Sequence, residues 1–185
     1  MVGLIFNEFL SFVDSRWPGR GRILLGIVGR SSAMGYDALE SYDYDELLTL
    51  VRIVARGDGV APDDTLREFG VRLFEQLTVL CPAFRGRGQD ALTFLEGIEH
   101  MRGEVDFDGA EMQCLRCHKL SAGVLQIDYA SVRNLASLVE GLIRGCILHF
   151  GGGVLVERTD LPGAPGRAAR FVLTAATSES ARRAV

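Results

Sequence analysis

Tyr129-Ala130-Ser131-Val132-Arg133 carries three hydrogen-bonding side chains at alternate positions, between an alternating run and an apolar helical segment. Side chains two residues apart share a face of an extended segment, so the phenol, the hydroxyl and the guanidinium are predicted to point the same way. Together they can bind a pair of carboxylates, with Arg133 as a bidentate fork. The alternative is a strand end whose polar side chains face water.

Around this motif, the hydrophobic pattern predicts helices first and strands later. Predicted helices span about residues 3–16, 43–55, 62–80, 89–104 and 133–150. Predicted strands span residues 115–120, 124–130, 154–159 and 167–174. A region broken by Gly and Arg follows the first helix to about Gly35, and no element is assigned to it. An α+β class with a small antiparallel sheet follows.

Composition narrows the class of protein. With 185 residues, 48% of them hydrophobic, the chain suits one domain with a substantial core, or two intimately packed subdomains. Its net charge of −4 and dispersed basic residues do not indicate nucleic-acid binding. No leader or membrane-length apolar stretch is evident, so we expect a cytoplasmic protein without membrane contact, and no structural disulfides among its four cysteines. No motif of a catalytic site is found, and we expect no enzyme.

Six short motifs occur in a fixed order along the chain. They are MVGLIFNEFL at 1–10, YDYDEL at 42–47, REFG at 67–70, FL at 94–95, YxSxR at 129–133 and GLIxGC at 141–146. The ordered series resembles the haem nitric-oxide/oxygen-binding (H-NOX) family, which senses nitric oxide in soluble guanylate cyclase and in bacterial signalling.

The resemblance implies the fold and the cofactor. It covers roughly residues 1–175, with a helical subdomain to about residue 60, a mixed subdomain from about 61 to 175, and a frayed tail over 176–185. It implies that a haem binds between the two parts and that Tyr129, Ser131 and Arg133 hold the haem propionates. It also implies a diatomic gas as ligand and a signalling partner such as a histidine kinase or a cyclase.

The chain departs from the family at the proximal ligand. The family's iron-binding histidine lies eight residues after the Phe of the Phe-Leu pair, which here is Arg102. A guanidinium stays protonated and cannot ligate iron, so Arg102 is either a solvated helix residue or a charge placed in the pocket, where it could pair with a propionate. His100 is the nearest imidazole, but two helical positions rotate it by about 200°, unless a local bulge turns it back.

Cys114-x-x-Cys117-His118 supports three interpretations. Its spacing is that of covalent c-type haem attachment, with His118 as a replacement axial ligand. The second interpretation is a zinc site with Cys146 or Cys81 as fourth ligand. The third is a redox-inert cysteine pair in a strand that also bears an exposed histidine.

The residues that align with the distal side of the haem are all apolar. They are Ile5, Phe9, Leu73, Leu77 and Leu138. Family members that hold dioxygen place a tyrosine where this chain has Leu138, and that tyrosine donates a hydrogen bond to the gas. Without such a donor, the resemblance implies a preference for nitric oxide or carbon monoxide. The same residues would also suit an ordinary core.

Three hypotheses remain open from the sequence. The first is a haem-binding gas sensor with His118 or His100 as axial ligand. The second is a haem-free H-NOX-like module that works through protein interaction, zinc or redox chemistry at Cys114, Cys117 and His118. The third is a different tetrapyrrole held covalently by a cysteine.

Overall fold

The computed structural model of the chain describes residues 3–30, 35–80, 90–98, 115–163 and 166–176. Six α-helices and four β-strands lie in these ranges. The helices are α1 (Gly3–Arg16), α2 (Arg20–Ile27), α3 (Tyr44–Asp58), α4 (Pro62–Leu80), α5 (Ala91–Glu96) and α6 (Ala136–His149). The strands are β1 (Leu115–Ser121), β2 (Val124–Ala130), β3 (Val154–Asp160) and β4 (Ala168–Ala175). The predicted α+β class is confirmed. No helix within these ranges is long and apolar enough to cross a membrane.

Helix α2 was not expected from the sequence. Glycines at both ends obscure its pattern, but Leu24 and Leu25 are buried and hold it on the core. Gly19 adopts φ 85° immediately before α2, and this left-handed conformation turns the chain out of α1. The backbone N–H of Gly21 then donates to the Asp14 carboxylate at 2.7 Å. Tertiary contacts therefore stabilise a helix that local propensity does not predict.

Two other helices begin later than predicted. Helix α5 starts at Ala91, because the carboxylate of Asp90 accepts a hydrogen bond from the backbone N–H of Thr93 at 2.9 Å and caps the helix. The remainder of the predicted 89–104 helix beyond residue 98 lies outside the described residues, as does the tail after residue 176. Helix α6 starts at Ala136 rather than at residue 133.

The four strands form one antiparallel sheet in the order β1-β2-β4-β3. One face is buried under the helices, and the side chains that cover it are Leu125, Ile127, Tyr129, Ala169, Phe171 and Leu173. Side chains alternate along each strand, so Gln126, Asp128 and Arg170 lie on the other face. There Arg170 donates to the Asp128 carboxylate at 2.7 and 3.1 Å.

Helices α4 and α6 pack with their backbones in contact. A Cβ added at Gly141 would lie 2.8 Å from the Gly70 Cα and would also meet the carbonyl oxygen of Arg67. One turn further along α6, a Cβ added at Gly145 would lie 2.7 Å from the Cβ of Phe74. Carbon atoms that are not bonded to each other pack at about 3.5–4.0 Å. Glycine is therefore required at this crossing.

Residues before α3 are joined to α3 by an ion pair and to α1 by stacked rings. Arg30 donates to both carboxylate oxygens of Glu46, at 2.6 and 2.9 Å, and the Tyr36 hydroxyl donates to the same carboxylate at 2.6 Å. The Tyr36 ring stacks on Phe6 of α1 with ring centroids 4.4 Å apart. Asn7 donates to the Tyr36 carbonyl at 2.8 Å. These contacts fix α1 against the start of α3.

A buried carboxylate links α4, α6 and β3. Glu140 on α6 is 4% exposed. Its carboxylate accepts hydrogen bonds from Arg144 (2.9 Å) and Arg158 (3.1 Å) and forms an ion pair with Arg67 (3.1 Å). Arg158 also donates to the Ser137 hydroxyl at 2.9 Å. Burial raises the pKa of Glu140, but the three guanidinium groups lower it by more, so the pKa lies below its ordinary value.

We predict that Glu140→Gln lowers the free energy of unfolding at pH 7 by about 3 kcal/mol, because it removes the buried carboxylate that Arg67, Arg144 and Arg158 share. The native pKa of Glu140 is lowered, so its charged form stabilises the fold above the pKa of the unfolded chain. That contribution is lost as the pH falls through the native pKa. Urea unfolding of both proteins from pH 7 to pH 3 should therefore show the difference shrinking at acid pH.

Glu75→Gln is the matched control, since Glu75 pairs with Arg72 at 2.7 Å but the two side chains are 56% and 47% exposed. An exposed pair of this kind contributes at most about 1 kcal/mol. Equal losses for the two variants, or a difference that grows at acid pH, would contradict the role given to Glu140.

Candidate functional site

The Tyr129–Arg133 motif forms a turn at the end of β2. Strand β2 ends at Ala130, and the Ser131 backbone N–H donates to the Arg167 carbonyl at 2.8 Å. Beyond it the chain bends, so that the Tyr129 hydroxyl donates to the Arg133 carbonyl at 3.1 Å. The prediction of one extended face for all three side chains is therefore wrong, because only Tyr129 lies within the strand.

Within this turn, the three side chains have different surroundings. The Tyr129 side chain is 1% exposed and its hydroxyl braces the turn from inside. The Ser131 oxygen accepts from the Arg133 backbone N–H at 3.1 Å, which leaves the hydroxyl proton of Ser131 for a further acceptor. Ser131 and Arg133 are both half-buried. A hydroxyl and a guanidinium on a braced turn are donors that suit a carboxylate, so the donor set fits the acidic edge of a haem.

The Arg133 guanidinium also contacts the N-terminal helices. Its Cζ lies 5.3 Å from the ring centroid of Tyr44, the first residue of α3. Tyr44 lies within the YDYDEL motif, whose sequence alone does not indicate a role in the site. An aromatic residue beside a helix cap was the available signal, although it did not indicate which cation the ring would meet.

The five apolar residues predicted for the distal side all belong to the main hydrophobic core of the described residues. Ile5 and Phe9 lie on α1, Leu73 and Leu77 on α4, and Leu138 on α6, each at most 8% exposed. Helix α4 packs against both α1 and α6.

Buried polar side chains are few in the described part of the chain. They are Thr65, Ser137 and Glu140. The last two neighbour Leu138 in sequence, but both accept from Arg158 of β3. The polar groups of Ser137 and Glu140 are therefore bound to Arg158, although both residues lie close to Leu138 in sequence.

Cys117 and His118 lie on opposite faces of the sheet. The Cys117 thiol lies 3.4 Å from the Leu95 carbonyl of α5, on the helix-covered face. His118 is exposed and pairs in register with Gln126, so its side chain points to the other face. The two side chains do not converge on one zinc ion or on one covalently attached haem. The geometry also places the imidazole of His118 on the face away from Tyr129.

Cys146 is fully buried in α6, with its sulfur 4.0 Å from the Ala91 carbonyl. Burial, assisted by the charge of Asp90, raises the pKa of the Cys146 thiol to about 12, so the thiol is protonated in the metal-free protein. No group of three or more metal-binding side chains occurs within the ranges described above. Cys81, Cys114, His100 and Arg102 lie outside those ranges.

Comparison with known proteins defines the class. The model of the haem-NO-binding (HNOB) family matches residues 2–158, and the chain belongs to this H-NOX family. It is a family of sensor domains that are typically non-catalytic, bind haem and respond to diatomic gases. No individual curated protein matched the chain.

Solved H-NOX structures share the fold over almost the whole chain. The unliganded Fe(II) protein of K. algicida is 22% identical with a TM-score of 0.81, covering 96% of this chain and 98% of that one. The Fe(II)NO protein of S. oneidensis is 20% identical with a TM-score of 0.80, covering 96% and 100%. A Cs H-NOX mutant gives a TM-score of 0.84 at 19% identity, covering 96% and 97%. The similarity establishes the H-NOX fold.

Proposed function

We propose that the chain is a haem-binding gas sensor that takes nitric oxide or carbon monoxide rather than dioxygen and signals to a partner protein. The observation that carries the proposal is the braced turn from Tyr129 to Arg133. It presents a hydroxyl and a guanidinium three residues before α6, the helix that contributes Leu138 to the buried apolar cluster. The turn that would bind the carboxylates is therefore directly followed by the helix that carries Leu138.

The three polar residues of the turn have two roles in this proposal. Ser131 and Arg133 bind the propionates, and Tyr129 holds the turn through the Arg133 carbonyl. When bound, haem supplies an iron that coordinates the diatomic gas. The S. oneidensis relative was solved with NO on Fe(II), which supports nitric oxide as the ligand class.

The axial ligand is proposed to be His100. His118 was the other candidate, but its side chain lies on the face of the sheet away from Tyr129. A neutral imidazole is an ordinary ligand of haem iron, whereas the Arg102 guanidinium has no lone pair to offer.

Selectivity among gases would follow from the apolar distal side. Bound dioxygen carries partial negative charge that a hydrogen-bond donor stabilises, and the side chains of Leu138, Leu73 and Leu77 offer none. Nitric oxide and carbon monoxide need no such donor. Hence we propose that the distal side selects against dioxygen.

The signal is proposed to pass between the N-terminal helices and the rest of the chain, toward a partner such as a histidine kinase or a cyclase. Two of the contacts between these parts involve charged side chains. Arg16 of α1 pairs with Glu68 of α4 at 2.6 Å, and Arg133 lies over the Tyr44 ring of α3. Both contacts are partly exposed and can adjust when the parts move.

The haem proposal predicts a Soret band from protein purified out of haem-supplied cells, and the band should be lost on acid-acetone extraction because the haem is held non-covalently. His100→Ala should change the ferrous spectrum, because it removes the axial imidazole, whereas His118→Ala should leave it unchanged. A spectrum altered only by His118→Ala would contradict the ligand assignment. Protein without a Soret band but with bound zinc would favour the haem-free alternative.

The selectivity proposal predicts that the ferrous protein gives stable nitric oxide and carbon monoxide complexes and no stable dioxygen complex in air. Leu138→Tyr introduces a hydroxyl donor at the position where oxygen-binding relatives carry one, so it should slow dioxygen dissociation by about tenfold or more. Leu138→Phe is the control of similar size without the hydroxyl. A stable dioxygen complex of the unmodified protein, or equal effects of the two substitutions, would contradict this proposal.

A further inference from the structure

One face of the four-stranded sheet is not buried under the helices, and its residues form rows across the strands in the order β1, β2, β4 and β3. The first row is Arg116, Asp128, Arg170 and Thr159, and the second is His118, Gln126, Val172 and Glu157. The third row is Val124, Thr174 and Leu155, with Leu120 beside it at the bulge of β1. All of these residues are exposed or half-buried. We call this surface the open face.

Apolar side chains are part of the open face. Leu120 on β1 is 55% exposed and Leu155 on β3 is 64% exposed. Val124 and Val172 lie on the two strands between them and are half-buried. The face of an antiparallel sheet that points to water is ordinarily polar. Apolar side chains set among charged ones are instead typical of a surface that another protein covers.

The charges of the open face match those of a second copy when a two-fold axis parallel to the strands relates the two faces. This axis places β1 of one copy over β3 of the other and β2 over β4, so that each row meets the same row. Asp128 then faces Arg170 of the second copy, and His118 faces Glu157 of the second copy. Because the axis is two-fold, each of these contacts occurs twice. The open face is therefore complementary to itself.

A two-fold axis that runs along the second row, perpendicular to the strands, gives no such match. It places β1 over β1 and β3 over β3, so Glu157 would face Glu157 and His118 would face His118. Like charges that meet across an interface oppose association. The parallel axis instead brings Leu155 of one copy next to Leu120 of the other. Packed sheets keep their strands within about 30° of each other, which agrees with the parallel axis.

Asp128 and Arg170 retain hydrogen-bonding capacity for a second copy. The Arg170 Nε and Nη2 donate to the Asp128 carboxylate of the same chain, and Nη1 has no acceptor among the described residues. The Asp128 carboxylate also accepts from the Gln126 amide at 3.0 Å. These are three hydrogen bonds, and a carboxylate has room for about four. The Arg170 Nη1 of each copy can therefore donate to Asp128 of the other.

We propose that the open face is a homodimer interface, in which a second copy of the chain covers the sheet about a two-fold axis parallel to the strands. This inference goes beyond the proposed function and does not depend on haem. The face measures about 19 Å across four strands and about 23 Å along seven residues of a strand. Such an area is at the low end for specific interfaces, so we expect a weak dimer with a dissociation constant on the order of 100 µM.

Sedimentation velocity of the full chain tests whether the dimer forms. The weight-average sedimentation coefficient should rise from the monomer value toward the dimer value between about 5 and 500 µM. Leu155→Arg should weaken association about tenfold or more, because it places an unpaired guanidinium in the interface. Ile23→Arg is the matched control, since it adds the same charge at a side chain that is 62% exposed but lies on α2. It should leave the association unchanged.

An exchange of charges between copies tests the axis. Asp128→Arg and Arg170→Asp each place like charges opposite one another in a dimer of that variant, so each alone should associate about tenfold or more weakly. In a mixture, the arginines of one variant meet the aspartates of the other, and a heterodimer should form with about the affinity of the unmodified protein. The double variant Asp128→Arg/Arg170→Asp exchanges both charges and should also dimerise. Circular dichroism checks that each variant is folded.

Four results would overturn the inference. They are a chain that stays monomeric up to about 500 µM, a dimer that Leu155→Arg leaves unchanged, a dimer that Leu155→Arg and Ile23→Arg weaken equally, and a mixture of the two charge variants that associates no better than each alone. A monomeric chain would leave a different protein, or water, as the occupant of the open face. If either charge variant does not fold, the comparison of Leu155→Arg with Ile23→Arg decides on its own.

Discussion

The backbones of α4 and α6 touch at Gly70 and Gly141. The position of the motif turn and the position of the apolar residues predicted for the distal side both depend on this contact. Helix α6 starts three residues after Arg133, so its placement fixes the motif turn. The same two helices carry three of the five apolar distal residues. Any side chain at Gly141 would push the helices apart and move the turn away from Leu73 and Leu77 of α4.

Helix α6 is positioned both by close packing at its glycines and by the ion pairs of Glu140. The glycines set the distance between the helices, and the Glu140 carboxylate ties α6 to Arg67 of α4 and Arg158 of β3. Leu138 and Glu140 are two positions apart, which on a helix is a rotation of about 200°. The ion cluster around Glu140 therefore lies on a different side of α6 from Leu138, the residue proposed to face the bound gas.

The sequence predicted the class of fold, all four strands and most helices, because period-two and helical patterns are strong where one face is buried. It missed α2, which tertiary contacts stabilise, and it extended the strand geometry through Arg133, where the Tyr129 hydroxyl turns the chain back. Local patterns do not encode such contacts. Cys117 and His118 are adjacent in sequence, which suggested that both bind the same metal ion or haem. Alternation along the strand instead places their side chains on opposite faces of the sheet. Tyr44 was found only through its contact with Arg133.

The most direct test of this account compares Gly141→Ala with Gly26→Ala by chemical denaturation. A Cβ at Gly141 would lie 2.8 Å from the Gly70 Cα, whereas a Cβ at Gly26, in helix α2, meets nothing within 4 Å. We expect Gly141→Ala to lower the free energy of unfolding by about 1–3 kcal/mol through overpacking. Gly26→Ala should leave it unchanged or raise it by up to about 1 kcal/mol, because alanine favours a helix. Equal stability of the two variants would contradict the claim that the α4–α6 contact organises the site.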